Sequence, residues 1–485
     1  MTELALPSEI LDGDLVVGRE QLAGDVARLA SGLADRGVGA GAAVVVSIPT
    51  SYEFVVLDRA LDQLGAVMVN LPAGSRREVG QVARMVDSTL IVVGEVDDPH
   101  LFGDLDRWVS VRAASDLAAI SGTGVSSAAA PVSEDEVTWL ACGNGSTGTP
   151  RAAVHTRRSL ASALRVLQEI YQVGSDDTVL VAADVGTEIG FRDGVRLACR
   201  SGARLVLQRV FDPGVAADLI ERHRCTIAAV PTAYLYDMVA AGRKVRGLRQ
   251  LLCEGRLLGE ELTNGADDIF GSGVATPYFA PLECGPCLGC PPGASADQRA
   301  HSHGVAMPGY SLEIVDADEQ PLPPAALEGE LVVRAPGVAL RYLMRNDTEQ
   351  QFHSDGRFMT RERVRRLPDG SLAVSGMRDK NLIVRDGYAV APRELEDALS
   401  VHPKVGRAVV SGRADRRSGE AVVAVLTAPE GQPERGEIER WLAECGISRL
   451  KWPDRLLFVE QLPVGEDGKI DRAAVSELAG QDASG

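Results

Sequence analysis

The sequence predicts an α/β fold: a large N-terminal domain of stacked α/β subdomains plus a β-rich subdomain, followed by a small C-terminal α+β domain. Three observations carry that expectation. Helical and extended patterns alternate between residues 17 and 115; from about residue 304 the texture changes to short strands and turns; after Lys380 a compact run of strands and helices begins afresh. At 485 residues the chain exceeds what one hydrophobic core serves, so two to four domains or subdomains are expected, with the main division between 1–379 and 380–485.

Taken in order, Glu20 to Arg36 carries Leu22, Val26, Leu29 and Leu33 at helical spacing, and the apolar run Ala43 to Ile48 follows as a buried strand. The alternation repeats with a helix over Phe54 to Leu64, a strand over Ala66 to Val69, a helix over Val79 to Val86 and a strand over Leu90 to Val93. A Ser-, Ala- and Gly-rich loop (121–133) leads into the strand Val137 to Leu140, and the next helix starts near Arg157 or Ser159. Extended segments recur at Thr178 to Ala183, Ala203 to Gln208 and Thr226 to Val230, separated by helical ones. The β-rich part is read from Leu312 to Val315, Gly329 to Val333 and Leu372 to Val374. In the last module strands are expected at Leu382 to Val384, Ala408 to Ser411 and Val422 to Leu426, with helices at Arg393 to Leu399 and Glu437 to Glu444.

Composition narrows the function. A hydrophobic fraction of 45% suits a packed globular protein, and a net charge of -18 without a long basic run argues against nucleic-acid or anionic-membrane partners. The N-terminal stretch lacks the basic start and apolar centre of a signal peptide, and no segment reaches the roughly 18–20 apolar residues of a membrane span. A cytoplasmic enzyme is expected. Cys284, Cys287 and Cys290 form C-x-x-C-x-x-C with His301 and His303 nearby, so a zinc site is chemically conceivable. Paired knuckles of the usual spacing are missing, which favours reduced thiols.

The chemistry concentrates in Gly143-Asn144-Gly145-Ser146-Thr147-Gly148-Thr149-Pro150-Arg151 and in Gly468-Lys469-Ile470-Asp471-Arg472. Small residues let backbone N–H groups and hydroxyls converge on phosphate oxygens, so the first run reads as a polyphosphate cradle. It is not a Walker loop, because Gly148 is followed by Thr149-Pro150-Arg151 and not by Lys-Ser/Thr. A flexible surface loop would have a similar composition.

Six segments then fall in one order: GNGSTGTPRAAVHT (143–156), LLCEGRLLGEEL (251–262), FAPLE (279–283), GELVVRAPGVALRYL (329–343), the stretch from Asp355 to Glu396, and LPVGEDGKIDR (462–472). Together they resemble the successive core motifs of the adenylate-forming (ANL) superfamily of acyl-CoA synthetases, peptide-synthetase adenylation domains and luciferases, over roughly residues 16–475. The resemblance implies an acid–thiol ligase: a carboxylate attacks the α-phosphate of ATP, pyrophosphate leaves, and a thiol such as that of coenzyme A then displaces AMP from the acyl-adenylate. Both steps need preorganised donors for oxygen charge.

Carried over residue by residue, Lys469 resembles the catalytic lysine that bridges carboxylate and α-phosphate, and Glu283 the glutamate that holds Mg2+. Asn144, Ser146, Thr147, Gly148 and Arg151 stand in the phosphate loop. Glu254, Gly255 and Phe279 stand in the nucleotide motifs, Glu362 where an aspartate meets the ribose hydroxyls, and Arg378 where an arginine contacts nucleotide. Lys380 sits at the hinge about which the C-terminal domain alternates between the half-reactions, bringing in the CoA-side segment around Gly387 and Tyr388.

Departures from the pattern gather on the ATP side. Asn144 replaces Ser/Thr, Arg151 replaces Lys and Ala152 replaces Gly; Phe279-Ala280-Pro281-Leu282-Glu283 stands for Tyr-Gly-x-Thr-Glu, Thr360-Arg361-Glu362 for Thr-Gly-Asp, and Cys253-Glu254-Gly255 for Ser-Gly-Gly. Two readings stay open. Either adenylation is weakened and the enzyme thioesterifies an acyl-adenylate supplied by a partner adenylating ligase, or the charge-conserving changes preserve both halves. Gly186-Thr187, where many relatives carry Phe-His, and an aromatic content of 4% point to an acyl pocket for a bulky alicyclic or polycyclic carboxylic acid of secondary metabolism. A stand-alone enzyme loading a carrier protein, and a non-catalytic acyl-adenylate or nucleotide binder, are the competing functions.

Overall fold

In a computed structural model the described residues are 6–94, 107–111, 114–122, 133–144, 150–323, 327–344, 351–377, 382–386, 388–464 and 470–480. Four sheets organise them. The first has six strands in the order Trp108–Ser110, Leu90–Val93, Ala43–Ser47, Val67–Asn70, Val137–Asn144, Pro150–Thr156, parallel except for the last pair. Strands such as Leu90–Val93 are buried along their whole length, which is why they read as continuous apolar runs.

The second sheet has nine strands. Its parallel centre runs Ala275–Phe279, Gln250–Glu254, Ile227–Pro231, Thr178–Val181, Arg204–Leu207, Glu9–Asp12, with antiparallel pairs at both edges. One continuous core joins it to the first sheet through helices such as Tyr52–Leu64 and Arg157–Ile170, and extends into the third sheet. Ser51 caps the former helix and Gly65 ends it in the left-handed conformation at φ 68.

The third sheet is the β-rich part, an antiparallel set in the order Ser311–Val315, Glu328–Arg334, Phe358–Arg366, Leu372–Met377. Phe358–Arg366 is absent from the sequence reading. It reads FMTRERVRR, and its charged residues mask the inward Phe358, Thr360 and Val364. The small C-terminal sheet contains Tyr388–Val390, Ile383–Arg385, Gly419–Thr427 and Arg407–Asp415, to which Arg455–Phe458 adds a parallel strand. Helices Pro392–Ser400 and Arg435–Glu444 cover one face and Arg472–Gly480 lies on the other, each face with its own core. Between Thr178–Val181 and Arg204–Leu207 lies a π-helix, Ile189–Arg196, which the alternating pattern presents only as a generic helical segment.

Candidate active site

The glycine-rich run sits at the turn of a hairpin. Val137–Asn144 pairs antiparallel with Pro150–Thr156, bringing Gly143 opposite Arg151 and Asn144 opposite Pro150. Ser146, Thr147 and Gly148 lie outside the described residues, so the hairpin fixes only the two ends of their segment. A Cβ on Gly143 would meet Leu282 at 3.4 Å, so the mouth of the loop adjoins the Glu283 motif.

Glu283 is held from a third segment. Tyr342 donates its hydroxyl to Glu283 Oε1 at 2.6 Å, and the Ala339 N–H donates to the Glu283 carbonyl at 2.7 Å. Tyr342 itself is docked on the glycine hairpin, bridged to Ala153, with the Arg151 guanidinium 5.4 Å from its ring centre. Arg151 also donates to Gln351 Oε1 at 3.4 Å. Burial raises the pKa of Glu283, against the Tyr342 hydroxyl and Arg151, which lower it.

Three more carboxylates share this region. Burial lifts Glu188 to about 7, with Arg192 opposing and Glu283 and Asp193 reinforcing. Glu362 rises to about 8 through burial, helped by Glu283 and Glu330. Glu254 is driven well up by burial, with Arg192 opposing it. Among the described residues these carboxylates do not converge as one cation cage, and Glu283 is the single member that the motifs mark for a hard divalent cation.

The turn carrying Glu362 explains one departure. Thr360 Oγ1 donates to the Leu331 carbonyl at 2.7 Å and receives the Glu362 N–H at 3.0 Å, while Arg361 between them adopts φ 61. That is the left-handed region where glycine is unstrained, so the Gly of Thr-Gly-Asp has a steric reason and this chain tolerates strain there. Gly255 is similarly required, at φ 123. Its carbonyl accepts from His303 Nε2 at 2.9 Å, and His303 Nδ1 accepts the Val374 N–H at 3.1 Å, fixing a neutral imidazole; burial lowers its pKa to about 4. The His303 ring packs edge-on 5.8 Å from Phe279.

The acyl-pocket residues behave differently from the expectation. A Cβ on Gly186 would sit 2.1 Å from Pro72 N, so this glycine permits close backbone packing and does not open a pocket wall. Thr187 Oγ1 donates to the Asp184 carbonyl at 2.6 Å, turning the chain into the π-helix. That helix delivers a group the motifs did not reveal: Arg192, 1% exposed, forks onto Asp193 at 2.6 and 2.8 Å, and Tyr278 donates to the same carboxylate at 2.8 Å. Arg192 Nη1 is buried without a partner. The available signal was the Arg192-Asp193 pair, with Arg196 one turn on, inside the otherwise apolar IGFRDGVRLAC.

The three clustered cysteines contact carbonyls: Cys284 Sγ with Gly285 at 3.8 Å, Cys287 Sγ with Phe279 at 3.6 Å and Cys290 Sγ with Gln298 at 3.9 Å. His301 contacts Asp297 on the surface, and among the described residues no group of three His, Cys, Asp or Glu is arranged to hold a metal ion.

Arg378, Lys380, Gly387 and Lys469 lie outside the described residues, and the side chains of Asn144 and Tyr388 do as well. Their flanks are informative. Val464 bridges Ile470 at the base of the lysine segment, and the strand Tyr388–Val390 lies against Val137–Asn144, the strand entering the glycine loop. Arg417 holds Asp237 through two contacts at 2.6 and 2.7 Å, and Arg256, next to Gly255, donates to the Asp415 carbonyl.

Two family models match this chain: AMP-binding enzyme over residues 17–343, and the AMP-binding enzyme C-terminal domain over 394–469. The chain belongs to the AMP-binding enzyme family. As a member of it, and so of the ANL superfamily, it is an acid–thiol ligase. Among relatives of this AMP-binding enzyme are a salicylyl-CoA synthase / salicylate adenylyltransferase from a Streptomyces species, 29% identical over 97% of the chain and 90% of the relative, and the salicyl-AMP ligase / salicyl-S-ArCP synthetase of Mycobacterium tuberculosis, 30% identical over 93% and 84%. The o-succinylbenzoate CoA synthetase of Bacillus subtilis bound to a product analogue, OSB-NCoA, shares the fold at a TM-score of 0.79, with 20% identity and coverage of 97% and 96%. The same synthetase in complex with its acyl-adenylate gives 0.68, with 20% identity and coverage of 97% and 95%.

Proposed function

We propose that this AMP-binding enzyme forms an acyl-CoA thioester from a carboxylic acid through the acyl-adenylate, and that thioester formation is the half-reaction it favours. The observation that carries this reading is the hairpin Ile383–Arg385/Tyr388–Val390 lying against the strand that feeds the glycine loop. The departures on the ATP side support it: Arg151 engaged by Tyr342 and Gln351, and a strained Arg361 before the ribose-side Glu362.

In the favoured step a thiol sulfur bonds to the acyl carbonyl carbon, the carbon–oxygen bond to AMP breaks, AMP leaves as the phosphate anion and the thiol proton passes to solvent. Glu362 would accept from the ribose hydroxyls once ionised, Gly255 and Phe279 would line the base, and Arg151 would offset charge on the phosphate. Mg2+ at Glu283, with ATP, would supply charge neutralisation during adenylation. Lys469 would serve that half, and a hinge at Lys380 dividing 1–379 from 380–485 would exchange it for the Gly387 segment. Among the described residues no helix is long and apolar enough to cross a membrane, in keeping with a cytoplasmic site of action.

The test supplies pure protein with acid, ATP and Mg2+, and separately with preformed acyl-adenylate and CoA. Thioester from the second mixture with little pyrophosphate from the first is expected; abundant pyrophosphate without CoA sinks the thioester-favouring reading. A second acceptor, a pantetheinylated carrier protein supplied with adenylate by a partner ligase, is favoured by the kinship with the salicyl-S-ArCP synthetase, and offering both acceptors to the same adenylate separates the two.

A further inference from the structure

We propose that Glu78 is a positioning residue for thioester formation: through Lys451 and Glu394 it clasps the C-terminal domain in the orientation that brings the Tyr388–Val390 strand to the glycine hairpin. This rests on the reading above that the orientation serves the thiol step.

Glu78 lies in the first turn of the helix Arg76–Met85, which packs on the six-stranded sheet of the large domain. Lys451 closes a short 3-10 turn, Arg449–Lys451, and Glu394 stands in the first turn of Pro392–Ser400, both in the small domain. Lys451 is 0% exposed and donates to Glu394 Oε2 at 2.7 Å and to Glu78 Oε1 by a shorter contact. Beside it the Arg77 N–H donates to the Gly446 carbonyl at 3.1 Å, a second link across the same seam.

The two halves of the cluster have different jobs. Lys451–Glu394 stays within the small domain, whereas Lys451–Glu78 spans 373 residues of sequence and joins the two domains. Releasing Glu78 therefore loosens the seam at this end without dismantling the small domain, leaving Arg417–Asp237 and Arg256–Asp415 as links elsewhere between the domains. Glu394 also begins only four residues beyond Val390, so fixing it fixes the hairpin that lies on the glycine-loop strand.

The seam carries the marks of a surface built to separate. Ser75 Oγ, Glu78 Oε2 and Gln81 Oε1, spaced three apart at and along this helix, are buried without partners, as is Ser448 Oγ, three residues before Lys451. Buried polar atoms are ordinarily satisfied, because leaving them unpaired is costly. Water would satisfy these four on opening, so at this helix the closed arrangement is held by the ion cluster and the Arg77–Gly446 bond and not by polar complementarity throughout.

The experiment uses the full chain with Glu78→Gln, which keeps volume and an acceptor, and Glu78→Lys, which repels Lys451. Thioester formation from preformed acyl-adenylate and CoA is expected to lose at least about tenfold in kcat in Glu78→Lys and less in Glu78→Gln, because small misplacements of reacting groups are expensive. Binding of a non-hydrolysable acyl-adenylate mimic, made almost entirely by the large domain, is expected to stay unchanged, and small-angle scattering of Glu78→Lys to show a more extended particle. Unchanged kcat overturns the proposal; equal losses of kcat and mimic binding with a lowered melting temperature also overturn it, by assigning Glu78 to folding alone. If the unsubstituted protein forms no thioester, the functional reading fails, while scattering still reports on the clasp: extension supports it and an unchanged particle overturns it.

Discussion

The nucleotide cleft and the domain seam both bury carboxylates, and they differ in whether a cation of the chain closes directly on them. At the seam Glu78 and Glu394 converge on one ammonium, although burial still raises Glu394 above its ordinary pKa against Lys451. In the cleft Glu188, Glu254, Glu283 and Glu362 all sit above their ordinary pKa through burial, which outweighs Arg192 at Glu188 and Glu254 and Arg151 at Glu283, while neighbouring carboxylates add to it at Glu362. A region finished by its own cation holds a conformation, whereas one left short of positive charge waits for ligand donors or a cation to complete it.

The largest effect that could break this contrast is at the shared cation. Lys451→Met would leave two carboxylates facing each other in a buried seam, and loss of one partner of a buried ion pair costs about 3–5 kcal/mol. Denaturant unfolding at neutral pH is expected to show that loss; a change near zero would mean the seam is open to solvent.

Arg361→Gly has a smaller effect and the opposite sign. Left-handed backbone costs a non-glycine residue about 1–2 kcal/mol, and the greater unfolded-state freedom of glycine removes about 0.5–1 kcal/mol of the relief. A net stabilisation of about 1 kcal/mol is expected in thermal unfolding, and a destabilised variant would show that contacts of the Arg361 side chain outweigh the strain.

Glu362→Gln sharpens the comparison through pH. Because burial raises Glu362 in the folded state to about 8 from 4.5, the protonated form is favoured there; stability is fully present below the unfolded value and is lost as pH rises through about 8. The variant is expected to match the parent near pH 4, below the unfolded value, and to melt higher than it near pH 9. It is also expected to lose the rise in affinity for an adenylate mimic between pH 7 and 9. Equal melting curves at both pH values would show that the parent carboxyl is not desolvated.

Local patterns were legible where a segment's environment matches its own periodicity. Ala43–Ser47 and Tyr52–Leu64 are examples, bounded by Ser51 and Gly65. Phe358–Arg366 escaped because its outward residues are nearly all charged, and Arg455–Phe458 because a four-residue parallel edge carries too short a pattern. In the site, Glu283, Gly255, Phe279 and Glu362 were found from motif order. Tyr342, Arg192 and His303 were not, since what makes them matter is a partner 59, 85 or 48 residues away, counting Tyr278 on the Arg192–Asp193 pair.

The sequence by itself determined the α/β class, the two-part organisation and the adenylate-forming chemistry, because those depend on periodicity and on short motifs whose residues act together locally. Only the tertiary structure decided that Gly186 serves packing, that Arg361 bears a glycine's backbone, and that Glu78 meets Lys451. Steric contact and charge pairing are set by distance in space, and a chain that folds back on itself brings together residues whose separation in sequence carries no trace of it.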